Sequence, residues 1–256
     1  MSTVVMKFGG AAVATPEQFS KIADIIISRK QDYSRLIIVV SAMGDTTDEL
    51  IQLAKRVNPN PPQREYDMLV TVGERISISL LAMALAGKNH SAVSFTGSQS
   101  GIITCDQHAE ARIVDVRPHR VKKALEGGQI CIVAGFQGVS RDNEITTLGR
   151  GGSDTTAVAL GIALNAKKVE FFKDVAGIYD EDPKKNASAK LRPHLSYSEA
   201  LHIVKSGAQV LHHRCIELAS RNNLFLHVLP FENYLNSTGT IIFEEGQTKI
   251  ESPQYE

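Results

Sequence analysis

The sequence predicts an α/β protein, a three-layer α/β/α sandwich around a mainly parallel, open central sheet. Three observations carry that expectation. Continuously apolar runs at 36–40 and at Ile130–Ala134 read as strands covered on both faces. The strand candidates end at glycine- or serine-rich turns: Gly9-Gly10, residues 41–44 and residues 135–138. Amphipathic helix patterns follow the first two turns, and a repeated strand, turn and helix order builds parallel pairs with right-handed crossovers.

Taken in order, Val4-Val5-Met6-Lys7-Phe8 forms the first strand and stops at Gly9-Gly10. Thr15, Pro16 and Gln18 then start a helix: a capping hydroxyl, a ring preset for the first helical position, and an amide placed to bond back. Phe19, Ile22, Ala23, Ile26 and Ile27 repeat as its buried face. The strand at 36–40 leads through Ser41-Ala42-Met43-Gly44 into a helix opened by Thr46 or Thr47. Asn58-Pro59-Asn60-Pro61-Pro62 cannot continue that helix and reads as a surface loop inside one domain. Residues 66–86 read as one long helix with Gly73-Glu74-Arg75 near its middle. A mid-helix glycine costs about 1 kcal/mol, a cost that a close ligand or backbone would justify. Strands at Ala92–Phe95 and Ile102–Thr104, a helix at 116–125 and the strand at Ile130–Ala134 follow. Residues 141–144 look like the turn of a hairpin. Ala157, Leu160, Gly161 and Leu164 mark a helix, and 168–172 the next strand. Ser196-Tyr197-Ser198-Glu199 is a capping box, another helix runs over 210–219, and strands at 224–228 and 240–243 close the sheet.

Composition narrows the function classes. Apolar content of 43% and charged content of 22% over 256 residues are those of an ordinary soluble domain. With 28 basic and 28 acidic residues there is no electrostatic case for nucleic acid or an anionic membrane. No apolar run approaches the roughly 20 residues of a membrane span, and the N-terminus lacks the basic start and apolar block of a signal peptide. Cys105, Cys131 and Cys215 are odd in number and far apart, so they suggest packed thiols in a cytoplasmic protein.

The chemistry should lie along the C-terminal edge of the strands, where open α/β sheets bind ligands. Four glycine turns would share that rim. The densest is Thr147-Leu148-Gly149-Arg150-Gly151-Gly152-Ser153-Asp154-Thr155-Thr156, which runs straight into a helix. Glycines let backbone N–H groups approach a ligand, and a helix N-terminus favours phosphate or carboxylate. Arg150 adds a planar fork that grips a carboxylate through two hydrogen bonds. Lys7, beside Gly9-Gly10, can neutralise a transferring phosphoryl group. Together these turns suggest a polyphosphate beside a second anionic substrate. The chain has no Gly-x-x-x-x-Gly-Lys-Ser/Thr loop and no glycine fingerprint directly after a strand, so neither a P-loop enzyme nor a dinucleotide fold is expected. His194, His202, His212 and His213 cluster late without metal-ligand spacing, with His212 and His213 expected on one helix and pointing apart; no protein-held metal site is expected.

The ordered motifs resemble the amino acid kinase family, and within it the branch that phosphorylates aspartate. They are Lys7-Phe8-Gly9-Gly10, Val39-Val40-Ser41-Ala42-Met43-Gly44 with Thr47, Gly73-Glu74-Arg75, and Gly135-Phe136-Gln137-Gly138. The series continues with residues 148–154, residues 174–179 with Asp182-Pro183, and Gly207-Ala208-Gln209-Val210-Leu211-His212. The resemblance implies transfer of the ATP γ-phosphoryl group to the β-carboxylate of L-aspartate, as in amino-acid biosynthesis. Lys7, Gly9, Gly10 and Ser41 would cradle the ATP phosphates. Thr47, Glu74, Arg150 and Ser153, with Gly151 and Gly152, would hold aspartate. Asp154 would orient Lys7 and the phosphate–Mg²⁺ assembly. Lys173, Asp174, Tyr179, Lys184 and Gln209 would line the nucleotide site.

The chain departs from the family pattern in places. Ala11-Ala12 stands where Thr-Ser is usual, Gln209 where a lysine is usual, and His213 where a proline is usual. Lys173 replaces a common threonine, Ala176 a frequent aspartate, and Lys184 a usual arginine. Losing a cation at Gln209 removes one phosphate contact, for which Lys173 is a candidate substitute. Rival readings are a kinase for another amino acid or carboxylate and a catalytically weak binding homologue. Residues 1–256 are expected to form a single catalytic domain without small ligand-sensing (ACT) domains, so that lysine or threonine would not inhibit it directly. A homodimer is among the expected assemblies.

Overall fold

The structure is a computed structural model that describes residues 2–181, 186, 188–244 and 252–256. The first half of the chain gives β1 (Thr3–Phe8), α1 (Pro16–Arg29), β2 (Arg35–Val40), α2 (Thr46–Val57), α3 (Gln63–Val70), α4 (Val72–Gly87) and β3 (Ala92–Phe95). A short helix α5 (Gly97–Ser100), β4 (Ile102–Thr104), β5 (Ile113–Val116), α6 (His119–Glu126) and β6 (Ile130–Ala134) follow. Then come β7 (Gln137–Ser140), β8 (Ile145–Thr147), α7 (Gly152–Ala163), β9 (Lys168–Lys173) and β10 (His194–Leu195). The last elements are α8 (Tyr197–Lys205), α9 (His213–Arg221), β11 (Phe225–Pro230) and β12 (Thr240–Ile242).

Among the described residues, eight strands form the central sheet in the order β10-β12-β11-β9-β1-β2-β6-β3. The pairs from β11 to β3 are all parallel, and β12 runs against β11. The predicted three-layer architecture is present, because alternate residues of each inner strand point to opposite faces. Val5, Ile37, Val39 and Val133 pack with Ala157, Leu160, Ile216 and Ala219 of α7 and α9. Val4, Met6, Phe8, Ile38 and Val40 pack with Ile22, Ile26, Leu81 and Leu85 of α1 and α4. Both faces are dry, which is why these strands read as continuous apolar runs. The start of α1 is as expected, with Gln18 Oε1 accepting from the Thr15 N–H at 3.1 Å.

Four local expectations need correction. The helix at 66–86 is two helices, broken at Thr71. At that junction the Gln137 amide donates to the Thr71 carbonyl at 3.1 Å. Residues 116–125 are the end of β5, then Pro118, then α6; Arg117, ahead of a proline, is biased away from helix. The helix expected from 210 begins at His213, because His212 is extended (φ −85°, ψ 139°) and caps it. Residues 137–138 belong to β7, part of a second sheet, β5-β4-β7-β8, of which the sequence shows β4 and the β7–β8 turn but not the pairing. The stretch Gln63–Gly87 is long and apolar enough to span a membrane by length and composition, yet its buried face carries Asp67, Glu74 and Ser77.

Candidate active site

Parallel strands place their C-terminal turns side by side, and the turns after β1, β2 and β6 meet as expected. A Cβ added at Gly10 would lie 3.1 Å from the carbonyls of Ala42 and Gly44. One added at Gly135 would lie 2.5 Å from Ser153 Oγ. Gly149 and Gly151 both take the left-handed φ of +71°, which L side chains rarely adopt. They fold the Arg150 turn back so that α7 begins at the sheet edge, its first turn holding Ser153 and Asp154.

At the centre lies a three-membered charge cluster. Lys7 Nζ is 2.7 Å from Asp154 Oδ1, and Lys173 Nζ is 3.3 Å from Asp154 Oδ2. Lys7 and Asp154 are each only 5% exposed. Burial alone would raise the Asp154 carboxyl, but Lys173 and Lys7 outweigh it and hold the group at about 2. Burial, partly offset by Asp154, pulls the Lys7 ammonium below its ordinary value. A Cβ at Gly9 would come into van der Waals contact with Lys7 Nζ, at 3.5 Å. The cluster carries one surplus positive charge at a rim lined by backbone amides, a setting for phosphate.

Glu74 supplies the opposite character. It is 2% exposed, and its Oε1 accepts from the Ala42 N–H at 3.2 Å while Oε2 is buried without a partner. Burial pushes its carboxyl up to about 7, against the pull of the Ala42 amide and Lys7. Such an oxygen is built to receive a cationic donor. Gly73 makes the approach possible: a Cβ there would sit 2.6 Å from Ala42 Cβ, so the close backbone contact suggested by a mid-helix glycine is present.

Lys7, Ser41, Thr47, Glu74, Arg150, Gly151, Gly152, Ser153 and Asp154 line one cleft of about 510 Å³. Lys173 reaches it through Asp154, and Gly9 and Gly10 border it. Asp174 and Gln209 are exposed outside the lining, and Tyr179 pairs with Leu191 in an isolated bridge. Lys184 and the Asp182-Pro183 motif lie outside the described residues. A neighbouring cavity of about 570 Å³ is the weaker candidate, because Glu256 and two carbonyls already occupy its Arg214. His212 and His213 do not point apart: their rings stand 4.3 Å apart, with His212 packed against Gly151.

Sequence reasoning missed Tyr66, Asp48, Ile51, Ala109 and Glu110 in the cleft wall, and Asp67 beneath it. One signal was available. Asp67, Thr71, Glu74 and Ser77 recur at helical spacing among apolar residues, and all four are buried.

The family model for the amino acid kinase family matches residues 2–230. The chain belongs to that family. It is 49% identical over 243 residues to an aspartokinase of Mycolicibacterium smegmatis, covering 94% of this chain and 57% of that protein. The figures are the same for an aspartokinase of Corynebacterium glutamicum, so the chain spans a little over half the length of these relatives. Among solved structures, an aspartate kinase from Synechocystis superposes with a TM-score of 0.85 at 39% identity, over 98% of this chain and 40% of that one. E. coli aspartokinase III, solved with aspartate and ADP, gives 0.86 at 25% identity, over 96% and 66%. A UMP kinase from Bacillus anthracis shares the fold alone, at 22% identity and a TM-score of 0.69, over 98% and 99%.

Proposed function

We propose that this amino acid kinase domain transfers the γ-phosphoryl group of ATP to the β-carboxylate of L-aspartate, giving 4-phospho-L-aspartate and ADP. One observation carries the reading: a buried Lys7–Asp154–Lys173 cluster, an under-satisfied Glu74 carboxylate and the Arg150 guanidinium share a single cleft. A phosphate chain, an ammonium and a carboxylate each find their complement there. Similarity to proteins named aspartokinase supports the choice of acceptor.

In this reading Arg150 takes the α-carboxylate and Glu74 the α-ammonium, with Thr47, Ser153 and the Gly151-Gly152 amides completing the acceptor site. Gly9, Gly10 and Ser41 receive the ATP phosphates, and Asp174, Tyr179, Lys184 and Gln209 serve the nucleotide. The β-carboxylate is already ionised at neutral pH, so no general base is needed. A carboxylate oxygen forms its bond to the γ-phosphorus as the bond to the β,γ-bridging oxygen breaks, and ADP leaves with the electron pair. Lys7 and Lys173 balance the charge that spreads over the equatorial oxygens, and Asp154 keeps both ammonium groups aimed at the phosphate. Among the described residues no group of three His, Cys, Asp or Glu side chains could hold a metal ion. In this reading Asp154 orients the phosphate–Mg²⁺ assembly, and the ion would offset nucleotide charge when bound.

Hydroxylamine trapping tests the proposal. ATP and aspartate should yield the hydroxamate of an acyl phosphate, while glutamate should yield little. Lys7→Ala and Asp154→Ala should each lower kcat by about 10²–10³-fold, the loss typical when a preorganised charge is removed from a transition state. Hydroxamate formed from glutamate in preference to aspartate would overturn the choice of acceptor.

A further inference from the structure

Asp67 is fully buried on α3, outside the reacting groups, and the proposed chemistry makes no use of it. Its carboxylate nonetheless collects a dense set of donors. Oδ1 accepts from Thr147 Oγ1–H at 2.6 Å and from the Ala109 N–H at 3.1 Å. Oδ2 accepts from the Ala109 N–H at 3.1 Å and the Thr147 N–H at 3.2 Å, and lies 2.8 Å from His108 Nδ1. One carboxylate thus joins a helix, a loop and the last residue of β8.

These three segments are walls of the cleft. Tyr66, Ala109 and Thr147 all line it, and Thr147 stands three residues before Arg150. Ala109 holds φ +67°, unusual for a residue with a Cβ, and a Cβ at Gly149 would lie 3.3 Å from its carbonyl. The Arg150 side chain is exposed and, among the described residues, has no ion pair or hydrogen bond of its own. With no partner to fix its rotamer, the region the Arg150 guanidinium can reach is set by the backbone of its turn. That backbone is pinned at Thr147 by Asp67, and at Leu148 by a 2.9 Å bond from its N–H to the Phe136 carbonyl.

We infer that Asp67 is a positioning residue for the acceptor half of the cleft: it sets the Arg150 turn through Thr147 and Ala109, and so governs affinity for the carboxylate substrate. The inference rests on the reading of Arg150 as the acceptor's carboxylate clamp. It reaches nucleotide binding only weakly, because the Lys7–Asp154–Lys173 cluster makes no contact with Asp67.

The test uses Asp67→Asn, whose amide nitrogen cannot accept from the Thr147 or Ala109 N–H, and Thr147→Val, which removes only the 2.6 Å hydroxyl bond. Asp67→Asn should raise KM for aspartate by about 10–100-fold, with KM for ATP within about twofold and kcat within about fivefold. Thr147→Val should move aspartate KM the same way by about 3–10-fold, and Thr147→Ser should restore it. Calorimetric titration of aspartate into the nucleotide-free protein should show the same order without turnover. Combined with Arg150→Ala, Asp67→Asn should add less than about twofold, since both act through one guanidinium. If Arg150→Ala alone leaves aspartate affinity unchanged, the acceptor-site reading fails. If Arg150→Ala weakens aspartate while Asp67→Asn and Thr147→Val do not, or if their effects multiply in full, the positioning role is overturned. Equal weakening of aspartate and ATP by Thr147→Val would overturn it too.

Discussion

At the scale of single residues, the cleft holds two carboxylates that their surroundings drive in opposite directions. Asp154, pressed between two ammonium groups, is held at about 2; Glu74, with one oxygen left bare, is pushed up to about 7. The second shift opposes stability. Between about pH 4.5 and 7 the folded Glu74 keeps a proton that the unfolded chain has lost, so raising the pH through that window favours unfolding. The full effect is about 3 kcal/mol, present above pH 7 and absent below the unfolded value. Glu74→Gln should therefore melt higher than the wild type at pH 8 and close to it at pH 4.5, while losing aspartate affinity at both. Melting curves at the two pH values check this, and an equal offset at both would remove burial of the charge as its cause. The strain is of the kind expected at a binding site, where an unmet carboxylate waits for an ammonium.

Among elements, the junction of α4 with the turn after β2 decides whether Glu74 reaches the cleft. Gly73 allows it, with only 2.6 Å separating a would-be Cβ from Ala42 Cβ. Helix propensity favours alanine over glycine by about 1 kcal/mol, whereas overpacking a rigid contact costs roughly 1–3 kcal/mol. Ala42 cannot retreat freely, because its N–H is bonded to Glu74. Packing should win. Gly73→Ala is expected to lower the melting temperature and raise KM for aspartate together. Gly87→Ala, at the far end of the same helix with open space around its Cβ, should be neutral or slightly stabilising. Differential scanning calorimetry of the two variants separates the contributions, and a stabilised Gly73→Ala would show that the contact relaxes without cost.

On the scale of the molecule, β1 and β2 send alternate side chains into both cores, so neither face can open while the other stays packed. Phe8 is fully buried and stacks on Phe172 with centroids 4.7 Å apart. Phe8→Ala should cost about 3–5 kcal/mol and still leave one cooperative transition. Far-UV circular dichroism and tyrosine fluorescence, recorded against denaturant, should coincide for both proteins. Two separated transitions would mean that the layers fold apart.

Much of this architecture could be read locally. Runs buried on both faces, capped helix starts and glycine turns all lie within a few residues of chain, where steric and hydrogen-bond preferences act directly. The motif order likewise points to Lys7, Glu74, Arg150 and Asp154. Contacts between distant segments could not be read that way. The amide bonded to the Thr71 carbonyl between α3 and α4 comes from Gln137, and the partners of Asp67 come from residues 41 to 80 positions away. Patterning marked β4 and the β7–β8 turn of the second sheet but not β5 or the pairing of these strands, which span only 3–4 residues each and owe their pairing to the surrounding fold. Local chemistry selects the elements; the folded chain brings them within hydrogen-bond reach, which is where the charge cluster and the Asp67 clamp arise.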